Sequence, residues 1–391
     1  MLNPESNSRP RNVQLDCLRG VAILLVIFRH TILFRAPAWD APVVQFGWAG
    51  VDLFFVLSGF LISGLLFSEF RQKGSIRFAR FALRRALKIY PAFYALVFLT
   101  ILIRVVNHYP GPILRPFLND LFFLQSYFPG TYGHFWSLSV EEHFYIFLPV
   151  LMYLMIRLSP PLRSDPFRYF PVVFVFVAAL LLSFRLWTST HVPFSWQTHL
   201  FPTHLRIDSL LFGVVISYLA HFHAEKFWGF VRPRYPLLLL IGFFLISPGF
   251  WLTQETPWMY TYGVSLLYLG FGAILIGTLA APIESAHKAV RLGFRSLGFI
   301  GGFSYSIYLW HVPLLIWLAS FSILRKPYWG ISAFVLGSLA LGIITSKLIE
   351  IPIVKLRDRL FPQTVSAAPT IAATRTIPFV HNAASADASQ T

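Results

Sequence analysis

The feature that most constrains this chain is the recurrence of apolar runs about twenty residues long. A helix of that length spans roughly 30 Å, the thickness of a bilayer's hydrocarbon core. Such runs fall at roughly 13–34, 50–70, 86–106, 137–157, 169–187, 205–222, 235–253, 260–281, 298–320 and 328–350. Inside lipid each backbone must satisfy its own hydrogen bonds, so the spacing predicts an all-α polytopic membrane bundle of about ten transmembrane helices. Composition agrees: 56% of the 391 residues are hydrophobic and 12% are charged, against about 25% charged in a soluble domain. The apolar stretch "DLFFLQSYF" (120–128) is too short to cross and reads as interfacial or re-entrant. "VAILLVIF" continues into a full span with no small-residue cleavage site after it, so no cleavable signal peptide is expected. Cys17 is the single cysteine, which excludes an internal disulfide and a cysteine-rich metal site.

Charge orients the set. Basic residues concentrate in 70–88, 156–168, 226–234, 287–295 and 354–360, the connections expected on the N-terminal side. The opposite loops hold few, chiefly Arg35, Arg115, Arg325 and Lys326. By the positive-inside rule both termini are expected in the cytoplasm, across the inner (plasma) membrane. The net charge of +16 is then topology and lipid contact, and no basic soluble domain invites nucleic acid. One domain is expected, 13–360, after a short cytoplasmic segment (1–12). The Ala-, Ser-, Thr- and Pro-rich tail 361–391 reads as disordered.

Ionisable residues inside the runs are the candidates for function, because each costs at least a few kcal/mol if it faces lipid. In "LDCLRGVAILLVIFRH" (15–30), eleven helical steps of about 100° bring Arg19 and His30 to within ~20° of one face. The rise of about 1.5 Å per residue separates them by roughly 16 Å. Snorkelling to the two headgroup layers is the structural reading of this pair, and it suits Arg29 and Arg35 better. Other polar groups weigh against it for Arg19 and His30. Asp52, Glu141, Glu142, Arg206 and Asp208 are expected at the outer ends of their spans, with Tyr305, Tyr308 and His311 toward the middle of theirs. An acid beside His30 would orient the ring and favour its charged form, as a general base requires.

At the inner end, seven basic residues crowd eighteen positions: Arg71, Lys73, Arg77, Arg80, Arg84, Arg85 and Lys88. Arg19 is near by topology and Glu350 closes the last span. Anionic lipid is one partner for such a loop. A phosphate-rich cytosolic molecule is the other. Elsewhere the structural readings win. Cys17 packs as a small hydrophobe, and Ser58, Gly59 and Gly64 permit close helix contact. Trp136 belongs either to an acceptor path or to the interfacial aromatic belt. His191, His199 and His204 lack a metal-ligand spacing, so no metal is expected, though sugar contact is open to them.

The chain resembles the membrane acyltransferase-3 family, integral O-acyltransferases that modify carbohydrates. The resemblance covers about residues 13–355. It rests on the Arg19-to-His30 spacing, "GVDLFFVLSGFLI" (50–62), "RRALKIYP" (84–91), "WSLSVEEHFY" (136–145), "RIDSLLFG" (206–213), "SYSIYLWHVP" (304–313) and "IEIP" (349–352). One departure concerns the basic motif entering the third span, which usually ends in arginine. Here Lys88 keeps the charge but not the bidentate fork. Some members carry a hydrolase-like domain after the bundle. None is found in these 391 residues, so the chain is expected to act alone or to hand its product to a separate envelope-glycan assembly protein.

The resemblance implies acyl-coenzyme A as cytosolic co-substrate, most simply acetyl-coenzyme A, with no bound cofactor, and an outer-side glycan hydroxyl as acceptor. Arg19, Arg80, Arg84, Arg85 and Lys88 would hold the donor's phosphates. Its pantetheine arm, about 15–20 Å long, would reach His30. His30 would act as base with Asp52 or Glu141 orienting it. Tyr305, Tyr308 or Arg206 would stabilise the oxyanion, and Trp136, Glu142, Asp208 and His311 would line the acceptor side. Direct transfer and an acyl-enzyme both remain open. So do succinyl or longer acyl groups, and lipopolysaccharide, exopolysaccharide, periplasmic glucan or glycolipid as acceptor. A transporter or flippase without chemistry is the reading from another class. It calls for inverted repeats with paired broken helices, and the sequence shows none.

Overall fold

Each apolar run forms a helix, and what differs among them is how much of the helix faces other protein. The fold is taken from a computed structural model that describes residues 12–34, 42–108, 110–159, 165–321 and 326–362. The two polar ends, Arg35 and Arg325 lie outside the described residues. The main helices are α1 (Val13–His30), α2 (Gly50–Lys73), α3 (Phe78–Val106), a short α4 (Leu114–Leu121), α5 (Trp136–Leu158), α6 (Phe170–His191) and α7 (Ile207–Phe222). They continue as α8 (Tyr235–Ile246), α9 (Val264–Ala280), α10 (Lys288–Gly301), α11 (Ser304–Ala319), α12 (Pro327–Thr345) and α13 (Ile351–Leu360). No strand occurs among the described residues.

Eight segments among the described residues are long and apolar enough to cross a bilayer, nine if one bent pair counts as a single span. The protein is therefore a multi-pass membrane protein. The bent pair is α10 and α11, which meet at 64°; α11 covers most of the expected span 298–320, and α10 precedes it at an angle. The expected span 205–222 is α7, an apolar helix of 16 residues. The segment 120–128 does not cross: α4 ends at Leu121 and turns follow. The last span runs on past residue 350, through a π-turn at Ser346–Glu350 and into α13.

α2 is the axis of the bundle. The apolar window of its segment is 72% buried, against 17% for α6, which faces lipid over most of its surface. α2 and α7 cross closely because both carry glycine at the contact. A Cβ on Gly59 would lie 1.9 Å from the Leu210 carbonyl oxygen, and one on Gly213 would lie 2.2 Å from that of Val56. Small residues let backbones approach where lipid supplies no hydrophobic drive. α1 meets α10 the same way at Gly20 and Gly301.

Two ion pairs lock the entry of α7. Arg206, the residue before α7, donates to Asp52 of α2 at 2.6 Å, and Arg185 of α6 donates to Asp208 at 2.6 Å. All four side chains are 2% exposed or less. Each carboxylate sits in the first turn of its helix, where the N-terminal dipole favours negative charge. Pairing of this quality offsets the desolvation of charges that lipid-facing positions would not tolerate.

Candidate functional site

Two cavities lie along α1 and share part of one wall. The first, about 420 Å³, is lined at one end by Arg19, Arg80, Arg84, Arg85, Lys88 and Arg357. The second, about 440 Å³, is lined by Arg29, His30, His134, Trp136, Arg206 and Tyr308, among others. Val51 and Tyr308 line both. Arg19 and His30, on one face of α1, therefore line two different cavities that meet at Val51 and Tyr308.

The basic cavity holds six basic and three acidic side chains, so its formal charge is positive. Arg84 donates to the Asp358 carboxylate at 2.8 Å and also to the Phe361 carbonyl, while Arg80 donates to the Pro362 carbonyl. The end of α13 thus packs against the mouth arginines. Deeper in, Glu141 accepts from Ser58 at 2.8 Å and from the Tyr145 hydroxyl at 2.6 Å, with Arg85 3.6 Å away. Arg85 in turn donates to the Tyr145 hydroxyl and stacks 4.1 Å over its ring. Glu142 accepts from Tyr90 at 3.1 Å and leaves its second oxygen buried without a protein partner. Between these groups the wall is apolar, built chiefly from α2.

In the second cavity His30 closes α1. Its Nδ1 lies 2.9 Å from the Val26 carbonyl oxygen, and a carbonyl can only accept, so Nδ1 carries the proton in the neutral ring. Nε2 therefore holds the lone pair. The His311 ring meets His30 edge-on at 4.8 Å, and His134 meets His311 at 5.0 Å. His311 is pinned by the Tyr308 carbonyl and His134 by the Leu309 carbonyl, each leaving its other ring nitrogen buried and unpaired. Tyr308 donates to the His134 carbonyl at 2.8 Å and lies 2.5 Å from the Ser137 hydroxyl. Arg206 lies 5.4 Å over Trp136, and Trp136 stacks on Phe201 at 4.9 Å.

Several sequence expectations are corrected here. Asp52 does not sit beside His30: it is committed to Arg206. Glu141 and Glu142 line the basic cavity with its arginines and do not line the histidine cavity. His30 is oriented by a backbone carbonyl and packs against a second histidine, with no acid in hydrogen-bond contact among the described residues. Tyr305 donates its hydroxyl to the Ile89 carbonyl at 2.7 Å, and Asp208 is held by Arg185. Glu350 accepts from Ser306 and Ser346, tying α11 to the last span. Arg29, expected to snorkel, lines the histidine cavity.

His134 carries no sequence signal of its own, standing two residues before Trp136 and outside the motif at 136–145. Outside the spans, burial holds His199 and His204 below the usual histidine range. His204 bonds Tyr127, His199 packs against Tyr260, and His191 stacks on Trp187, so these three histidines have separate partners. Among the described residues no group of three His, Cys, Asp or Glu is arranged to hold a metal ion.

Fold and site together define a multi-pass helical membrane protein with a charged chamber and a histidine-lined chamber joined through a tyrosine wall. Residues 12–347 match the family described as acyltransferase domain, and the chain belongs to this acyltransferase-3 family. It is 26% identical over 380 residues to the peptidoglycan O-acetyltransferase OatA of Listeria monocytogenes, covering 89% of this chain and 56% of that protein. It is 25% identical over 362 residues to the O-acetyltransferase OatA of Staphylococcus aureus, covering 87% of this chain and 57% of that protein. The chain thus spans little more than half the length of these relatives. No solved structure matches it.

Proposed function

We propose that this protein is a membrane O-acyltransferase that moves an acyl group, most simply acetyl, from acyl-coenzyme A in the basic cavity to a glycan hydroxyl in the histidine cavity. The observation that carries this reading is the shared wall at Val51 and Tyr308 between a chamber rich in arginine and a chamber that contains His30. The basic face would lie on the cytoplasmic side of the plasma membrane with both termini, as the positive-inside rule favours. The donor's phosphates would bind Arg80, Arg84 and Arg85, whose forked guanidinium groups suit phosphate oxygens. Its extended arm would pass the apolar wall of α2 toward Tyr308. The rise from Arg19 to His30, roughly 16 Å, matches that arm.

Transfer then needs one base and one oxyanion donor. His30 Nε2 takes the acceptor's hydroxyl proton while that oxygen bonds to the thioester carbonyl carbon. The carbon–sulfur bond breaks, and the departing thiolate receives the proton from the imidazolium. The Tyr308 hydroxyl, on the wall shared by both cavities, would turn from the His134 carbonyl to donate to the oxyanion. Tyr305 donates to the Ile89 carbonyl and lines the basic cavity but not the histidine cavity. Trp136 and Arg206 would line the acceptor.

The test uses purified protein in lipid with radiolabelled acetyl-coenzyme A and cell-envelope polysaccharide. His30→Ala should bind donor and transfer none, and Arg19→Ala should bind donor poorly. Full transfer by His30→Ala, or indifference of all three proteins to acyl-coenzyme A, rejects the proposal.

A further inference from the structure

The turn between α8 and α9 carries a buried glutamine that no motif and no step above uses. Trp251, Thr253 and Glu255 are exposed, as a loop at the end of a bundle should be, yet Gln254 between them is only 5% exposed. Its side chain lines the histidine cavity, and its amide Nε2 is buried with no partner among the described residues. Trp48, on the turn Gly47–Ala49 before α2, lines the same cavity, and its indole N–H is likewise buried and unpaired. The Nε of Arg206 on this wall has no partner either.

Buried polar groups are normally paired, so one such atom can be a local accident, but three unpaired N–H groups on residues that line one chamber point to a common partner there. All three only donate, so the partner must present acceptor oxygens. The same chamber is lined by the aromatic rings of Trp136, Phe201 and Trp196, of which Trp196 is 39% exposed. Ring faces flanked by N–H donors suit a saccharide, whose carbon–hydrogen face packs on an aromatic ring while its rim oxygens accept hydrogen bonds.

We infer that Gln254 and Trp48 form a recognition edge that binds a saccharide ring beside His30 and thereby decides which hydroxyl is acylated. This rests on the reading that the histidine cavity takes the acceptor. Neither residue touches the donor cavity, so both act on acceptor binding and orientation only.

The experiment measures acetyl transfer from acetyl-coenzyme A to cell-envelope polysaccharide, titrated in hexose equivalents, with the full-length protein in lipid. Gln254→Leu keeps the volume and removes the amide, and Trp48→Phe keeps a ring and removes the N–H. Each should raise the acceptor KM about three- to tenfold, the loss of one hydrogen bond to a neutral group. Donor binding should be unchanged and kcat nearly so, the signature of binding lost equally in ground and transition states. The position of the acetyl group on the product, read by NMR, should become mixed. An acceptor KM and product pattern identical to wild type in both variants overturns the inference while leaving His30 chemistry intact. A fall in donor binding, or a drop in kcat at constant KM, overturns it as well. A wild type that transfers nothing from acetyl-coenzyme A overturns the underlying reading and this inference together.

Discussion

Asp52 is the residue on which sequence and structure part most sharply, and its substitution separates the two accounts. In the structure its carboxylate lies 2.6 Å from the Arg206 guanidinium, with both groups essentially inaccessible. At that distance and an effective dielectric constant of about 20, the gross attraction is about 6 kcal/mol. Most of it offsets desolvation. Asp52→Leu removes the attraction and leaves Arg206 buried and unpaired, which should cost about 3–5 kcal/mol. Replacing both, as Asp52→Leu with Arg206→Met, removes both desolvation terms and should recover most of that loss. The assay is unfolding in a fixed lipid–detergent mixture as a double-mutant cycle, with acetyl transfer measured on the same samples. The stable double variant should still transfer poorly, because Arg206 packs over Trp136 in the histidine cavity. Donor binding should stay normal. If Asp52→Leu alone unfolds like wild type, or the double variant is no more stable than the single one, the buried pair is not what holds the entry of α7. The account of Asp52 as a partner of Arg206 then fails.

Two further outcomes follow from particular contacts. Gly59→Ala should lose about 2–3 kcal/mol, because its Cβ would lie 1.9 Å from a backbone carbonyl oxygen on α7 that cannot swing away. Unfolding midpoints measure this, and a wild-type midpoint would refute the close crossing. At the basic mouth, Asp358 occupies Arg84 at 2.8 Å. Asp358→Asn should tighten acetyl-coenzyme A binding by about two- to threefold, a modest gain because the carboxylate is half exposed and screened. Titration at low and high salt checks this: the gain should shrink as salt rises, and weaker binding would contradict a phosphate site at Arg84.

The sequence alone determined what is set along each helix axis. Apolar run length makes the chain a polytopic α-helical protein. A fixed rise and turn put Arg19 and His30 on one face roughly 16 Å apart. The charge of the connection before α3 marks its basic end, and the motifs point to the acyltransferase family. Only tertiary structure decided who faces whom across the bundle. Glu141 lies beside Arg85 and away from His30, Asp52 is held by Arg206, and His134 joins His311 behind His30. Gln254 reaches into the cavity from a loop whose sequence looks like any exposed turn. The reason is that helical periodicity is local and fixes depth, whereas rotation about each axis and the choice of neighbour come from packing. Here that packing is set by contacts such as Gly59 against Leu210, between residues far apart in the chain.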